Sequence, residues 1–103
     1  MYSDFLIVAE HAARTAGSIL LKHLGQPLDV EFKGDVDLVT KVDRLAEEAI
    51  VAIIRDIYPD HQILAEEGTT QEGDSKYRWI IDPLDGTTNF AHSFPCFAVS
   101  IGL

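Results

Sequence analysis

Between Thr40 and Pro59 the apolar residues Val42, Leu45, Ala46, Ala49, Ile50, Ile53, Ile54 and Ile57 recur at three- and four-residue steps. That period puts them on one face of a helix and predicts helix from Thr40 to about Tyr58. Thr40 with Asp43 three residues on resembles a capping box with Asp in place of the usual Glu, and Pro59 closes the segment. A helix with one apolar face must bury it against a second layer, so this stripe constrains the fold more than any other stretch.

A partner helix is predicted over residues 4–24. Phe5, Ala9, Ala12, Ala16, Ile19 and Leu20 make its stripe, Ser3 or Asp4 can cap it, and Gly25 and Pro27 end it. Gly17 weakens its middle slightly. The remaining apolar runs are too short for helices. Leu28–Phe32 reads as a strand, Lys33-Gly34-Asp35 as a turn, and Val36–Val39 as extended. Ile63-Leu64-Ala65 reads as a strand that empties into Glu66-Glu67-Gly68, residues 69–76 as an exposed loop, and Tyr77–Ile81 as a buried strand ending on Asp82. Residues 87–92 suit one or two helical turns, and residues 97–103 begin another strand. Ending inside that run is expected of a piece of a longer domain. The pattern is α+β.

Charge narrows the function. Eight Lys and Arg face seventeen Asp and Glu among 103 residues, a formal net charge of −9. A nucleic-acid binder would carry the opposite balance, so none is expected as a partner. No apolar run approaches the roughly 20 residues a membrane span needs, and the Met1-Tyr2-Ser3-Asp4 start lacks the basic region of a signal peptide. A cytoplasmic location is therefore expected. The lone Cys96, beside Pro95 in an apolar stretch, reads as packing.

Chemistry concentrates in Trp79-Ile80-Ile81-Asp82-Pro83-Leu84-Asp85-Gly86-Thr87-Thr88. An apolar strand delivers one carboxylate, and a proline turn brings a second three residues later. Two carboxylates aimed at one point repel, and a hard divalent cation resolves the repulsion. Mg2+ prefers oxygen ligands and takes few carboxylates plus substrate phosphate. The Leu84 carbonyl could supply another oxygen. Gly86 allows close backbone approach, and a helix opening at Thr87 would aim free N–H groups at an anion. Upstream, Glu66 and Glu67 share the strand-end placement of Asp82 and could bridge a metal or orient water. Ordinary readings exist for each residue. Asp85 can be a helix N-cap, Asp82-Pro83 a plain turn, Glu66 and Glu67 solvated loop acids, Asp43 a capping acid and Lys33 a surface turn residue.

Taken together, Lys33, Asp37-Leu38-Val39-Thr40-Lys41-Val42-Asp43, Leu64-Ala65-Glu66-Glu67-Gly68, Asp82 to Phe90 and Phe94 to Ile101 resemble the inositol monophosphatase family in order and spacing. The resemblance covers essentially the whole chain. It implies the N-terminal portion, residues 1–103, of an αβαβα layered α+β sandwich, with a helix pair packed on the start of an antiparallel sheet. It implies Mg2+-dependent hydrolysis of a small sugar or inositol phosphate by metal-activated water, with two or three ions and Mn2+ as a possible substitute. Glu66, Asp82 and the Leu84 carbonyl resemble ligands of a first metal, and Asp82 and Asp85 those of a second. Glu66 and Thr87 resemble the pair that activates water, with Asp43 bonded to Thr87. Glu66, Leu84, Asp85, Gly86 and Thr87 resemble substrate and phosphate contacts, and Lys33 a lysine at the entry to the site. Lithium inhibition and a homodimer are implied for a complete enzyme.

The family's further metal-binding aspartate lies in a Trp-Asp-x-Ala-Ala-Gly segment downstream of residue 103. The isolated chain is therefore expected to lack activity and to bind metal weakly. A non-catalytic metal-binding or interaction module is the alternative, and fructose 1,6-bisphosphate is the alternative substrate. The Gly86-Thr87-Thr88-Asn89-Phe90 stretch leans toward inositol phosphates by analogy.

Overall fold

The computed structural model describes residues 2–24, 30–33, 37–86, 89 and 98–103, with the backbone alone at residue 2 and over 30–33 and 37–40. The order is α1 (Tyr2–His23), β1 (Val30–Lys33), β2 (Asp37–Thr40), α2 (Lys41–Ile57), β3 (Gln62–Ala65), β4 (Thr70–Gln71), β5 (Arg78–Asp85) and β6 (Ala98–Gly102). Two sheets form. β1 and β2 make an antiparallel hairpin, and a four-stranded sheet has the order β4-β3-β5-β6.

The helices pack on each other and on one face of the larger sheet. Phe5, Val8, Ala12, Ala16 and Leu20 of α1 meet Val42, Ala46, Ile50, Val51 and Ile54 of α2 in the core, over Ile63, Ala65, Trp79, Ile81 and Leu84 of the sheet. Ala12, Ala16 and Ala46 are wholly buried, and such small side chains let helix axes approach closely. The α2 stripe is narrower than its sequence suggests. Leu45 and Ile57 are exposed, while Val51, outside the expected stripe, is buried. α1 begins at Tyr2, so Ser3 and Asp4 lie within its first turn rather than capping it. There Asp4 still suits the positive end of the helix dipole. No helix among the described residues is long and apolar enough to cross a membrane.

The larger sheet is mixed rather than wholly antiparallel. β3 pairs parallel with β5, while β4 pairs antiparallel with β3 and β6 antiparallel with β5. The cause lies in residues 69–76, expected as a plain loop. Thr70–Gln71 folds back on β3 as a short strand, and the chain then wraps around the start of β3 to enter β5 on its other side. Gln71 Nε2–H donates to the carbonyls of Pro59 and His61, and Ser75 N–H donates to Asp60 O. Gln62 Nε2–H returns a bond to Ser75 O at 3.0 Å. The wrap passes so closely that a Cβ on Gly73 would sit 2.1 Å from Asp60 O. Only glycine fits there.

Alternation along the strands separates the two faces. Ile63, Ala65, Trp79 and Ile81 point to the helices and are buried, whereas Leu64 and Ile80 are exposed on the opposite face. That open face carries Glu66, Asp82 and Asp85.

A carboxylate site at the ends of paired parallel strands

Parallel register builds the centre of the site. Leu64 pairs with Ile80 and Ala65 with Ile81, and Glu66 N–H donates to Ile81 O at 2.9 Å. Because Ala65 and Ile81 face the core, the next residues, Glu66 and Asp82, face away from it side by side. Neighbouring strands are about 4.8 Å apart, within reach of two carboxyl groups. The carboxyl ends of parallel strands are where open α/β sheets place ligands. Leu64, Ala65, Glu66, Ile80, Ile81, Asp82 and Ser100 line an open groove of about 340 Å³ at this point. Ser100 enters it because β6 pairs Ser100 with Asp82. Its hydroxyl was not singled out in the sequence, and only strand register could have found it.

Asp85 reaches the same face by a bulge. In a regular strand, residues three apart point to opposite faces. β5 instead pairs Asp82 with Ser100 and Asp85 with Ala98, so Pro83 and Leu84 together stand opposite Val99. That extra residue resets the alternation. Pro83 and Leu84 are both buried, and Asp85 emerges exposed. Proline, which lacks an N–H, is tolerated at such a bulge. The expected proline turn is thus an irregular stretch of strand. Leu84 N–H donates to Asp82 Oδ1 at 3.3 Å within it. Gly86 follows at φ +94°, a left-handed conformation that turns the chain sharply out of the strand.

The electrostatics match the crowding. Hydrogen bonding to the Asp82 side chain, then the Asp82 charge, raises the Glu66 carboxyl above its ordinary 4.5, and burial, Glu67 and Asp85 add to it. Glu67 is also raised, first by burial and then by Asp43 and Glu47, with Arg44 opposing and Asp82 adding. Asp43 and Glu47 lie one turn apart on α2, and both are buried. Among the described residues, no three His, Cys, Asp or Glu side chains are drawn together as a ligand cluster. Glu66 and Asp82 form the pair, and Asp85 acts on Glu66 through its charge.

The donor set suits a hard divalent cation. Among the described residues it offers carboxylate oxygens, as Mg2+ prefers, and the crowding by Asp82 that raises Glu66 is one a cation would relieve. Asp43 is buried in the first turn of α2, close enough to act on Glu67. Lys33 ends β1 opposite Asp37, with its side chain outside the description. Thr87, Thr88 and Cys96 lie outside the described residues, as does almost all of the expected helical turn over 87–92.

Fold and site together define an α+β architecture that carries neighbouring carboxylates on the open face of a mixed sheet, and comparison with known proteins gives its family. A sequence model of the inositol monophosphatase family matches residues 1–103, and the chain belongs to that family. It is 46% identical over 98% of its length to an inositol monophosphatase of Mesembryanthemum crystallinum. It is 44% identical over 96% of its length to a fructose-1,6-bisphosphatase/inositol-1-monophosphatase of Aquifex aeolicus. The crystal structure of extragenic suppressor protein SuhB from Bartonella henselae superposes with a TM-score of 0.89 at 42% identity, over 95% of this chain and 39% of that one. The chain spans 39% of the Mesembryanthemum protein and 38% of the Aquifex protein.

Proposed function

We propose that this chain supplies part of the active site of a Mg2+-dependent phosphatase acting on a small phosphorylated polyol or sugar, an inositol 1-phosphate in the first instance. The observation that carries this is the Glu66–Asp82 pair just past the parallel-paired stretch of β3 and β5, with Asp85 brought to the same face by the bulge. Glu66, Asp82, Asp85 and the Leu84 carbonyl would hold the metal. Bound Mg2+ would supply Lewis acidity, lowering the pKa of the attacking water and offsetting charge on the leaving oxygen. The chain's own residues do the positioning. Glu66 orients the water with Thr87, Asp43 holds Thr87, and Gly86 with Thr87 contacts phosphate where the backbone leaves β5. Lys33 stands at the entry. The family relationship supports this assignment of roles. The Aquifex relative, a fructose-1,6-bisphosphatase/inositol-1-monophosphatase, makes fructose 1,6-bisphosphate the second substrate to assay.

The test is Mg2+-dependent phosphate release from inositol 1-phosphate and from fructose 1,6-bisphosphate. The intact protein and the isolated 103-residue chain are assayed, each with and without Asp82→Asn. The reading expects turnover by the intact protein, abolished by Asp82→Asn and by chelation, and none by the isolated chain. Mg2+ binding with no turnover by the intact protein would instead mark a non-catalytic metal-binding module. Binding insensitive to both Asp82 and Glu66 would sink the site itself.

A further inference from the structure

We infer that Glu47 is a positioning residue for the Glu66 carboxylate, holding the turn that carries it from beneath; the inference rests on the role proposed above for Glu66. Glu47 belongs to α2, amid the residues that bury the helix, and is only 3% exposed. Its neighbours on that face are Ala46, Ile50 and Val51. A carboxylate is costly to desolvate unless its oxygens are satisfied. Here they are satisfied from one direction. Oε1 accepts the Glu67 N–H at 2.8 Å. Oε2 accepts the Thr69 N–H at 3.3 Å and the Thr69 hydroxyl at 2.5 Å. All three donors belong to the turn that begins at Glu66.

The same turn is fixed from two other sides. Glu66 N–H is bonded to Ile81 O in the ladder with β5. Within the turn, Ala65 N–H donates to Thr69 O at 2.9 Å and Gly68 N–H to Ala65 O at 3.1 Å. The ladder fixes the backbone on the near side of Glu66, and Glu47 fixes it immediately after. Between them the Glu66 side chain is left one course, onto the open face beside Asp82. No hydrophobic residue at position 47 could hold that turn, since its N–H groups would turn to water and the loop would loosen. A charged acceptor is roughly twice as strong as a neutral one toward such donors. Burying an acid here therefore serves geometry, at a cost to stability that an apolar side chain would avoid.

The experiment compares the intact protein with Glu47→Gln and Thr69→Val by three measurements. Amide exchange is followed at Glu67 and Thr69, with Ile50 and Ile54 reporting whether α2 is intact. The Glu66 carboxyl ¹³C shift in metal-free protein reports its contact with Asp82. Mg2+ affinity is measured by calorimetry. Glu47→Gln should speed exchange at Glu67 by about tenfold or more while α2 stays protected. It should also move the Glu66 shift and weaken Mg2+ binding by about 10–100-fold, as loss of an outer hydrogen-bond partner does. Thr69→Val, which removes one donor from the other side, should change each readout in the same direction by less. It carries the comparison should Glu47→Gln fail to fold.

Unchanged exchange at Glu67 would overturn the inference, because the clamp would then hold nothing. So would faster exchange with an unmoved Glu66 shift, because the turn would then matter without placing Glu66. If the parent protein binds no Mg2+, the proposed function fails instead. The exchange and shift measurements then decide the role of Glu47 on their own.

Discussion

Trp79 donates its indole N–H to Nδ1 of His61 at 2.9 Å in the buried interior. The indole can only donate, so Nδ1 accepts, and a neutral ring must carry its proton on Nε2. Around this bond His61 stacks on Tyr58 at 4.4 Å between centroids, and Phe5 meets the His61, Tyr58 and Trp79 rings edge-on. The cluster ties α1, the end of α2 and β5 together at the corner where the chain enters β3.

Protonating His61 would turn its acceptor into a donor facing a donor. Burial lowers its pKa below 6.5, and the nearby Asp60 only partly opposes this. As pH falls through 6.5, the unfolded imidazole therefore binds a proton that the folded one refuses, and stability drops until the lowered folded value is passed. Glu66 and Glu67, both raised, act in the opposite sense over the acidic range. The His61 contribution is thus read as a difference. Urea unfolding of the parent and of His61→Phe should show His61→Phe less stable at pH 7.5 by about 1–3 kcal/mol, since Trp79 loses its acceptor. The gap should narrow as pH falls below 6.5. A constant gap across that range would exclude the neutral-histidine assignment.

Two glycine-to-alanine changes should move stability in opposite directions. Gly17 lies in α1 with nothing within 4 Å of a built Cβ, so Gly17→Ala should stabilise by about 0.5–1 kcal/mol. At Gly73 the new methyl would strike the Asp60 carbonyl, which is backbone and cannot swing aside. Gly73→Ala should destabilise by about 1–3 kcal/mol, the usual range for overpacking. Denaturant midpoints measure both, and a neutral Gly73→Ala would mean that the wrap around β3 is looser than described.

These features differ in how far they could be read in advance. The α2 period survived because many apolar residues vote for one face, and the side-by-side placement of Glu66 and Asp82 was legible because each comes directly after a short apolar run that pairs as strand. β4 was not legible. Thr70 and Gln71 have no apolar pattern of their own, and only pairing with β3 makes them a strand. Asp82-Pro83-Leu84-Asp85 is equally good as a turn or a bulge. The choice is made by β6, which arrives later in the chain and pairs on both sides of it. Glu47 was missed because an acid on a helix ordinarily faces water. Its one signal was its place one turn after Asp43, beside the stripe of Ala46 and Ile50. Two acids at that spacing against an apolar face ask for buried partners.

Asp82→Asn should separate stability from metal response. Glu66 holds a proton more tightly in the folded chain than unfolded, so its raised pKa lowers stability at pH 7 and the loss vanishes as pH falls toward 4.5. Removing the Asp82 charge relieves this while Asn keeps an oxygen for the Leu84 N–H. In chelator the variant should melt higher than the parent at pH 7, with the advantage fading toward pH 4.5. Under Mg2+ the order should reverse. A ligand at a hundred times its Kd adds about 2.7 kcal/mol to a protein that binds it, and the variant should gain little. A variant stabilised by Mg2+ as much as the parent would remove Asp82 from the ligand set.

The bulge gives the sharpest test of whether geometry, and not merely composition, makes the site. Deleting Pro83 would leave Leu84 alone opposite Val99, so Asp82 could keep its pairing with Ser100 and Asp85 with Ala98. Both carboxylates would stay on the open face, now two residues apart in a regular strand. The strand should survive, with stability lower by about 1–3 kcal/mol because a buried ring is lost from the interior. The local twist and the offset between the carboxylates would go. If those set the ligand spacing, Mg2+ affinity should fall by about tenfold or more although every acid is still present. Backbone amide spectra would confirm the β5–β6 pairing, and calorimetry would report the affinity. Intact pairing with unchanged affinity would show that the bulge serves packing, and that two acids on one face suffice to hold the ion.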